Sequence, residues 1–182
     1  MIACNVQSSI DVYDLAIKLI LPIVSALGAV YLSAWLAMRK FYKEKLWEKR
    51  IASFNEIINI ACRLKMADEY FLKEFHYQMD MENPGSVVTF SPLPKNLEEE
   101  LSEQYWQDRK NLEMLSQLAE FTLTKTAGLI LEEYINSQRK LQDDWHMDAI
   151  DSIERHEKDL DLSSNLLQKL VGEAKKELKD SK

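Results

Sequence analysis

The segment DDWHMD, residues 143–148, is the place where this 182-residue sequence comes nearest to metal chemistry. Asp143 and His146 stand three residues apart, so on a helix both side chains face the same partner, as metal ligands in four-helix bundles do. A di-iron site needs a second such pair, but neither His76 nor His156 has an acidic residue three positions before it. The sequence therefore predicts a solvated polar face here, with no metal and no cofactor.

Nothing else in the sequence is typical of an enzyme. The acidic residues Glu132 and Glu133 have ordinary helix-surface spacing, and four glycines are too few to build a phosphate-cradling loop or tight catalytic turns. Cys4 and Cys62 have no metal-ligand spacing and fall on opposite sides of the membrane predicted below. We expect a protein without catalytic residues.

The dominant feature is the run LILPIVSALGAVYLSAWLAM, residues 19–38, which contains no charged residue. A helix of about 20 residues is about 30 Å long and matches the hydrocarbon core of a bilayer. The run therefore predicts a transmembrane helix, with a mild bend favoured over a gating hinge at Pro22. The alternative is a buried helix of a soluble core, but few such helices are apolar on every side.

A basic collar follows the run and indicates the orientation. Basic residues next to a span remain in the cytoplasm, so we expect a single pass through the inner (plasma) membrane with residues 1–18 outside and the C-terminal domain cytoplasmic. A cleaved signal peptide is the rival interpretation, but it needs a positive leader and a shorter apolar core. The residues predicted to contact lipid headgroups are Arg39, Lys40, Lys43, Lys45, Trp47, Lys49 and Arg50.

Small residues recur along one face of the predicted span. In lipid, helices associate where small residues allow close backbone approach and where serine hydroxyls can bond across the interface. This stripe favours a homo-oligomer over a simple compositional preference for alanine and serine. The predicted packing residues are Ser25, Gly28, Ala29, Ser33 and Ala37.

Charge is distributed unevenly along the chain. Of the net −7, the leader contributes −1 and the collar +4, which leaves −10 for residues 51–182. An acidic domain of this kind excludes a general nucleic-acid grip, because phosphates are met by lysine and arginine. The expected partners are membrane lipid, further copies of the chain and a cytoplasmic protein.

The rest of the sequence predicts an all-α fold in which the span continues into a cytoplasmic helical bundle or coiled-coil-like hairpins. A stalk helix, residues 39–81, precedes a loop at 82–96, either folded back on the bundle or partner-binding, and helices in 97–182 pack on the stalk. We expect the first helix to start near Ile10. Asn96 and Glu99 form a capping box for a helix to about Phe121.

Two more helices are expected after a turn at 122–126. An apolar stripe predicts the first from about Lys125 to Leu160. Asp161 or Ser163 is then expected to end it and to cap the last helix, which is amphipathic as far as the C-terminal lysines.

Residues 31–60, YLSAWLAMRKFYKEKLWEKRIASFNEIINI, resemble a loose group of small bacterial inner-membrane proteins. These have a short outer N-terminus, one or two spans, and a stalk reading roughly K-E-K-L-W-E-K-R before a helical cytoplasmic domain. Some accompany phage-defence modules as membrane effectors, and several have two spans where this chain has one. The resemblance implies a defence-linked membrane effector and transfers no functional residue; a noncatalytic tether or scaffold for a cytoplasmic partner is the alternative.

Overall fold

A computed structural model describes the backbone of residues 4–81 and 90–180, with the side chains in these ranges except at 4–14, 16, 19, 120 and 180. The all-α prediction is confirmed, because the described ranges contain helices and no strand. Contacts divide the chain into two compact units, Met1–Glu48 and Lys49–Lys182. The helices are α1 (Cys4–Met81), α2 (Lys95–Gln117), α3 (Ala119–Thr122), α4 (Lys125–His146) and α5 (Ser152–Asp180).

The first unit consists of the N-terminal part of α1, which begins at Cys4, upstream of the expected start near Ile10. Among the described residues, α1 is the one helix long and apolar enough to cross a membrane. None of its most apolar stretch is buried. A core helix of a soluble protein would bury this surface, whereas a span covers it with lipid. α1 is therefore a candidate membrane span, and it continues as a helix through Pro22.

The second unit is a four-helix bundle built from α1 beyond residue 48, α2, α4 and α5. Ring contacts and ion pairs show that α1 and α5 are antiparallel, since Arg50 pairs with Glu177 while Phe75 lies 5.4 Å from the His156 ring. The neighbouring pairs α1–α2, α2–α4 and α4–α5 are also antiparallel and linked by ion pairs. The helices therefore follow the order α1, α2, α4, α5 around an up-and-down bundle. Their ion pairs are Arg63 with Asp108, Arg139 with Glu113 and Lys169 with Glu133.

The core of the bundle follows directly from the helical spacing of apolar residues. Along α1 they recur every three or four positions, which places them on one face of the helix. Leucines of α2, α4 and α5 meet that face and are themselves almost fully buried. The largest buried apolar side chains are Phe54, Ile57, Leu64, Leu112, Leu131, Leu166 and Leu170.

The expected boundary between the last two helices is wrong. The break lies at residues 147–151, and Ser163 is fully buried inside α5 with its hydroxyl donating to the Leu160 carbonyl at 3.1 Å. Asp148 has a φ of 52° in the left-handed region, which aspartate tolerates better than most residues. Asp151 then caps α5 by accepting the Glu154 N–H at 2.7 Å. The apolar stripe continued across this turn and concealed it.

The expected start of α2 also needs correction. Asn96 lies inside the helix and not at its cap, because the Pro94 carbonyl already accepts the N–H groups of Leu97 and Glu98 at 2.9 and 3.1 Å. α2 ends at Gln117 and a short α3 follows, so the expected single helix to Phe121 is interrupted at Leu118. The turn expected at 122–126 is confirmed.

Only the end of the predicted 82–96 loop lies within the described residues, and 82–89 lie outside them. Phe90 packs against Tyr70 and Tyr77 of α1, with ring centroids 5.7 and 5.9 Å apart. The Leu93 N–H donates to the Tyr70 hydroxyl at 3.1 Å. This end of the segment therefore lies on the bundle.

Candidate functional site

A layer of polar side chains interrupts the apolar core of the second unit. All four long helices contribute, and pairs four residues apart on α4 and on α5 project from the same face. Such a layer lowers the free energy gained from burial unless every polar group finds a partner. The members of this polar layer, each more than nine-tenths buried, are Asp68, Tyr105, Tyr134, Gln138, Asp159 and Ser163.

Asp68 is the most perturbed group of the polar layer, with 3% of its surface exposed. Burial raises the pKa of its carboxyl from 3.8 to about 7, and the nearby charge of Asp159 acts in the same direction. The neighbouring hydroxyls of Ser163 and Tyr105 and the charge of Arg109 oppose the shift. One carboxyl oxygen, Oδ2, has no hydrogen-bond partner. The Asp68 carboxyl therefore changes from protonated to ionised near neutral pH.

The two tyrosines of the polar layer remain neutral. Burial raises the pKa of both Tyr105 and Tyr134, and the charge of Asp68 raises each further. The Tyr134 hydroxyl and Gln138 Nε2 form no hydrogen bond of good geometry, but the Gln138 amide lies next to this hydroxyl and lowers the pKa of Tyr134. These two donors are thus the least well satisfied polar groups at this level of the bundle.

A second buried acid in the same bundle, Asp108, has hydrogen bonds to both carboxylate oxygens. Asp108 is 1% exposed, and its two carboxylate oxygens accept from Arg63 Nε at 2.7 Å and Nη2 at 2.6 Å. Gln104 Nε2 adds a third hydrogen bond at 3.1 Å. A bidentate arginine pair of this kind stabilises the carboxylate and fixes the register of α1 against α2.

A groove of about 630 Å³ opens between α2 and α4 beside the polar layer. Tyr134 and Gln138 belong to both, so the least satisfied part of the layer lies against the groove. Trp106, which is half exposed, forms part of one wall, and the guanidinium of Arg109 lies 5.2 Å from its ring centroid. The groove therefore combines an aromatic surface, a cation and buried hydrogen-bond donors.

The groove contains more cations than acids, although the second unit as a whole is acidic. Its lining includes three cations, Arg109, Lys110 and Arg139, and two acids, Glu103 and Glu113. Arg139 is bound to Glu113, whereas Arg109 and Lys110 form no ion pair with any described residue. The groove of an acidic bundle thus contains two cations without a direct ion pair, although Glu103 lines the same groove and the charge of Arg109 also acts on Asp68.

The stripe of small residues predicted for span packing lies on the exposed surface of the first unit. The hydroxyls of Ser25 and Ser33 donate to the carbonyls of Pro22 and Ala29 in their own helix, at 2.9 and 2.7 Å. A side chain on Gly28 would meet nothing within 4 Å. Close approach of another helix is therefore sterically open, but a serine bond across an interface requires the hydroxyl to rotate. The same surface includes Ala29 and Ala37.

The basic collar is partly paired within its own helix. Lys40 lies 3.8 Å from Glu44, and Lys45 donates to Glu48 at 2.7 Å, which raises the pKa of Lys45. Both pairs are exposed, so solvent screens them. Arg39 stacks over Trp35 at 5.5 Å. Lys43 and Trp47 are exposed in the first unit, while Lys49 and Arg50 belong to the second, where Arg50 pairs with Glu177.

Asp143 and His146 lie in the last turn of α4. Among the described residues, no group of three or more histidine, cysteine, aspartate or glutamate side chains is arranged to hold a metal ion. The neighbouring Trp145 is occupied by packing, since the guanidinium of Arg155 lies 4.1 Å from its ring centroid.

Sequence reasoning missed the polar layer as a site. The sequence places Gln138 within the apolar stripe of residues 125–160 and predicts a helix-capping role for Ser163, and neither residue is identified as a buried polar group. A usable signal existed in α1, where Asp68 falls one turn after Leu64 and three residues before Phe71, on the apolar stripe. A charged residue in that position predicts a buried carboxylate that needs a partner.

No known protein-family model matches this chain, and neither the curated proteins nor the solved structures contain a significant match.

Proposed function

We propose that the chain is a noncatalytic, membrane-anchored helical protein that acts as an oligomer, with a single span in the inner membrane and the bundle in the cytoplasm. One observation carries the proposal: the unburied apolar segment and a core-forming segment of the bundle belong to one continuous helix, α1.

The energetics of the apolar segment support insertion. Residues 19–38 contain nine leucine, isoleucine and valine residues and no charge. At about 0.3–0.6 kcal/mol for each of these near the centre of a membrane, they favour insertion by roughly 3–5 kcal/mol. One basic residue at the same depth would oppose it by about 3 kcal/mol.

Orientation is tested by a reporter fused after Lys182. The basic collar predicts a reporter protected in intact cells and accessible after the membrane is opened. A reporter labelled from outside intact cells would contradict the proposed orientation.

Self-association through the span is tested by filling the stripe of small residues. Ala29→Ile with Ser33→Ile should separate neighbouring backbones, while Val30→Leu changes another face. Each contact at such interfaces contributes on the order of 1 kcal/mol, so two substitutions are needed. We expect normal insertion and loss of cross-linked oligomer only in the double variant. Unchanged cross-linking would show that the bundle, and not the span, assembles the protein.

A membrane effector in a bacterial defence system is the specific form of this proposal that the resemblance of residues 31–60 supports. The segment 19–38 has no charge to line a conducting path, so an effector must assemble several copies. Activation of such an effector in cells should then collapse the membrane potential. The variant with both Ala29→Ile and Ser33→Ile should not collapse it.

A tether for a cytoplasmic partner is favoured by a different observation. Apolar side chains are exposed around the α2–α3–α4 corner, with Phe121 73% and Leu129 56% exposed. Met114 and Leu118 are exposed on the same part of the chain. Large exposed apolar side chains concentrated in one part of a chain favour a protein interaction site. The same measurement of membrane potential distinguishes the two functions, because a tether would leave the potential unchanged where an effector would collapse it.

A further inference from the structure

The groove between α2 and α4 has the dimensions of a ligand site. Its volume of about 630 Å³ lies inside the roughly 300–1,000 Å³ range of small-molecule pockets. An inorganic anion would leave most of this space empty. Trp106 and Ile135 supply apolar lining against which the body of a larger molecule can pack.

The charges of the groove select an anion. Arg109 and Lys110 form no direct ion pair with a described residue, although residues 51–182 carry ten more negative than positive charges; the charge of Asp68 acts on Arg109, and Glu103 lines the same groove. Two cations without a direct ion pair match a dianionic phosphate better than a single carboxylate, and arginine forms the strongest charge-assisted hydrogen bonds to phosphate oxygens.

The floor of the groove calls for hydrogen-bond acceptors. Tyr134 and Gln138 are 5% and 4% exposed, and Tyr134 OH and Gln138 Nε2 lack partners. Both atoms are covered, so a ligand reaches the amide only after the Gln138 side chain rotates towards the groove. Rotations of this kind are common when ligands bind, and a buried donor that gains an acceptor recovers the free energy of its desolvation.

From these observations we propose that this groove binds a small organic phosphate, with the phosphate at Arg109 and Lys110 and an acceptor-bearing body over Gln138 and Tyr134. The site lies entirely within the second unit and does not depend on self-association of the span. Ligand binding in the groove is therefore tested independently of the proposed membrane function.

The test uses the full-length protein in detergent micelles and adenosine monophosphate as the probe. Isothermal titration calorimetry should give one site per chain for this compound. Inorganic phosphate and adenosine, which each carry half of its features, should bind at least about tenfold more weakly, because each lacks contacts worth more than 1.4 kcal/mol. No heat at millimolar adenosine monophosphate would overturn the proposal.

Variants locate the site. Arg109→Gln with Lys110→Gln should weaken binding by about tenfold or more, since each substitution removes a charge-assisted hydrogen bond to the phosphate. Lys125→Gln with Lys140→Gln makes the same change of charge on exposed residues outside the groove and should leave affinity unchanged. Equal loss in both double variants would show nonspecific attraction and would overturn the proposal.

Two further variants keep the test informative if loss of Arg109 disturbs the bundle. Lys110→Glu changes an exposed residue, should leave the far-ultraviolet circular dichroism intact and should abolish binding. Gln138→Leu removes the unpartnered amide and should weaken adenosine monophosphate binding without lowering the melting temperature. Wild-type affinity in both of these variants would place the ligand elsewhere and reject the groove.

Discussion

Replacing Asp68 with asparagine should make the bundle more stable at pH 8 than the parent protein. The buried carboxyl has a pKa of about 7 when folded and 3.8 as its ordinary value, so the folded state holds this proton more tightly. A group of this kind contributes stability that is fully present below pH 4 and is lost as the pH rises through 7. Asparagine has nearly the same shape, remains neutral and removes this loss.

The magnitude follows from the shift of roughly three pKa units. At 1.36 kcal/mol per unit, ionisation of Asp68 lowers the free energy of unfolding by up to about 4 kcal/mol between pH 4 and pH 8. For a chain of this size, that corresponds to a fall in melting temperature of about 8–16 °C at most. Local relaxation around the ionised carboxyl makes this an upper bound.

The measurement is the melting temperature of the full-length protein in micelles from pH 5 to pH 8, followed by tryptophan fluorescence. His156 complicates the parent curve, because burial and the charge of Arg155 lower its pKa and its protonation destabilises the fold at acid pH. The difference between Asp68→Asn and the parent removes that contribution. Asp161→Asn, which removes one carboxyl from an exposed position on α5, is the matched control.

One outcome would contradict a neutral Asp68 carboxyl. If Asp68→Asn is destabilised equally at pH 5 and pH 8, the carboxyl is ionised and satisfied throughout that range. Burial next to Asp159 would then not govern its proton, and the polar layer would resemble the fully paired site at Asp108.

Three stability effects are expected elsewhere in the bundle, each measurable as a change in unfolding free energy. Arg63→Leu leaves Asp108 buried without its bidentate partner and should destabilise by about 3–5 kcal/mol. Leu131→Ala opens a cavity at a fully buried position and should destabilise by about 2–5 kcal/mol. Asp151→Ala removes the cap that accepts the Glu154 N–H and should destabilise by about 0.5–2 kcal/mol, whereas Asp151→Asn should retain most of the stability.

The helical fold could be predicted from the sequence because its signals are local. An uncharged run and apolar residues at helical spacing identify α1 and the buried faces without knowledge of the tertiary structure. The boundary between α4 and α5 was misplaced because Trp145, Ala149 and Ile153 continue the stripe through a turn. The correct signal was equally local, since Asp151 and Glu154 have the spacing of a capping box.

The polar layer could not be predicted in the same way. Asp68 and Asp159 are 91 positions apart in the sequence, and their proximity depends on which faces of α1 and α5 meet. The groove has the same origin, because Arg109 and Gln138 come together only after α2 packs beside α4. Periodicity identifies a buried face, but it does not reveal which polar residue on one face meets which residue on another.

The proton on Asp68 and a phosphate in the groove should influence each other through Arg109. The positive charge of Arg109 lowers the pKa of Asp68, and a bound phosphate would neutralise part of that charge. The pKa of Asp68 should therefore rise when the ligand binds, and linkage then requires tighter binding when Asp68 is protonated. The phosphate itself titrates near pH 6, which acts in the opposite direction and is common to all variants. The affinity of the parent protein for adenosine monophosphate, divided by that of Asp68→Asn, should consequently fall between pH 6.5 and about 8. Parallel affinity profiles in the two proteins would show that the groove and the polar layer, although they share Tyr134 and Gln138, act independently.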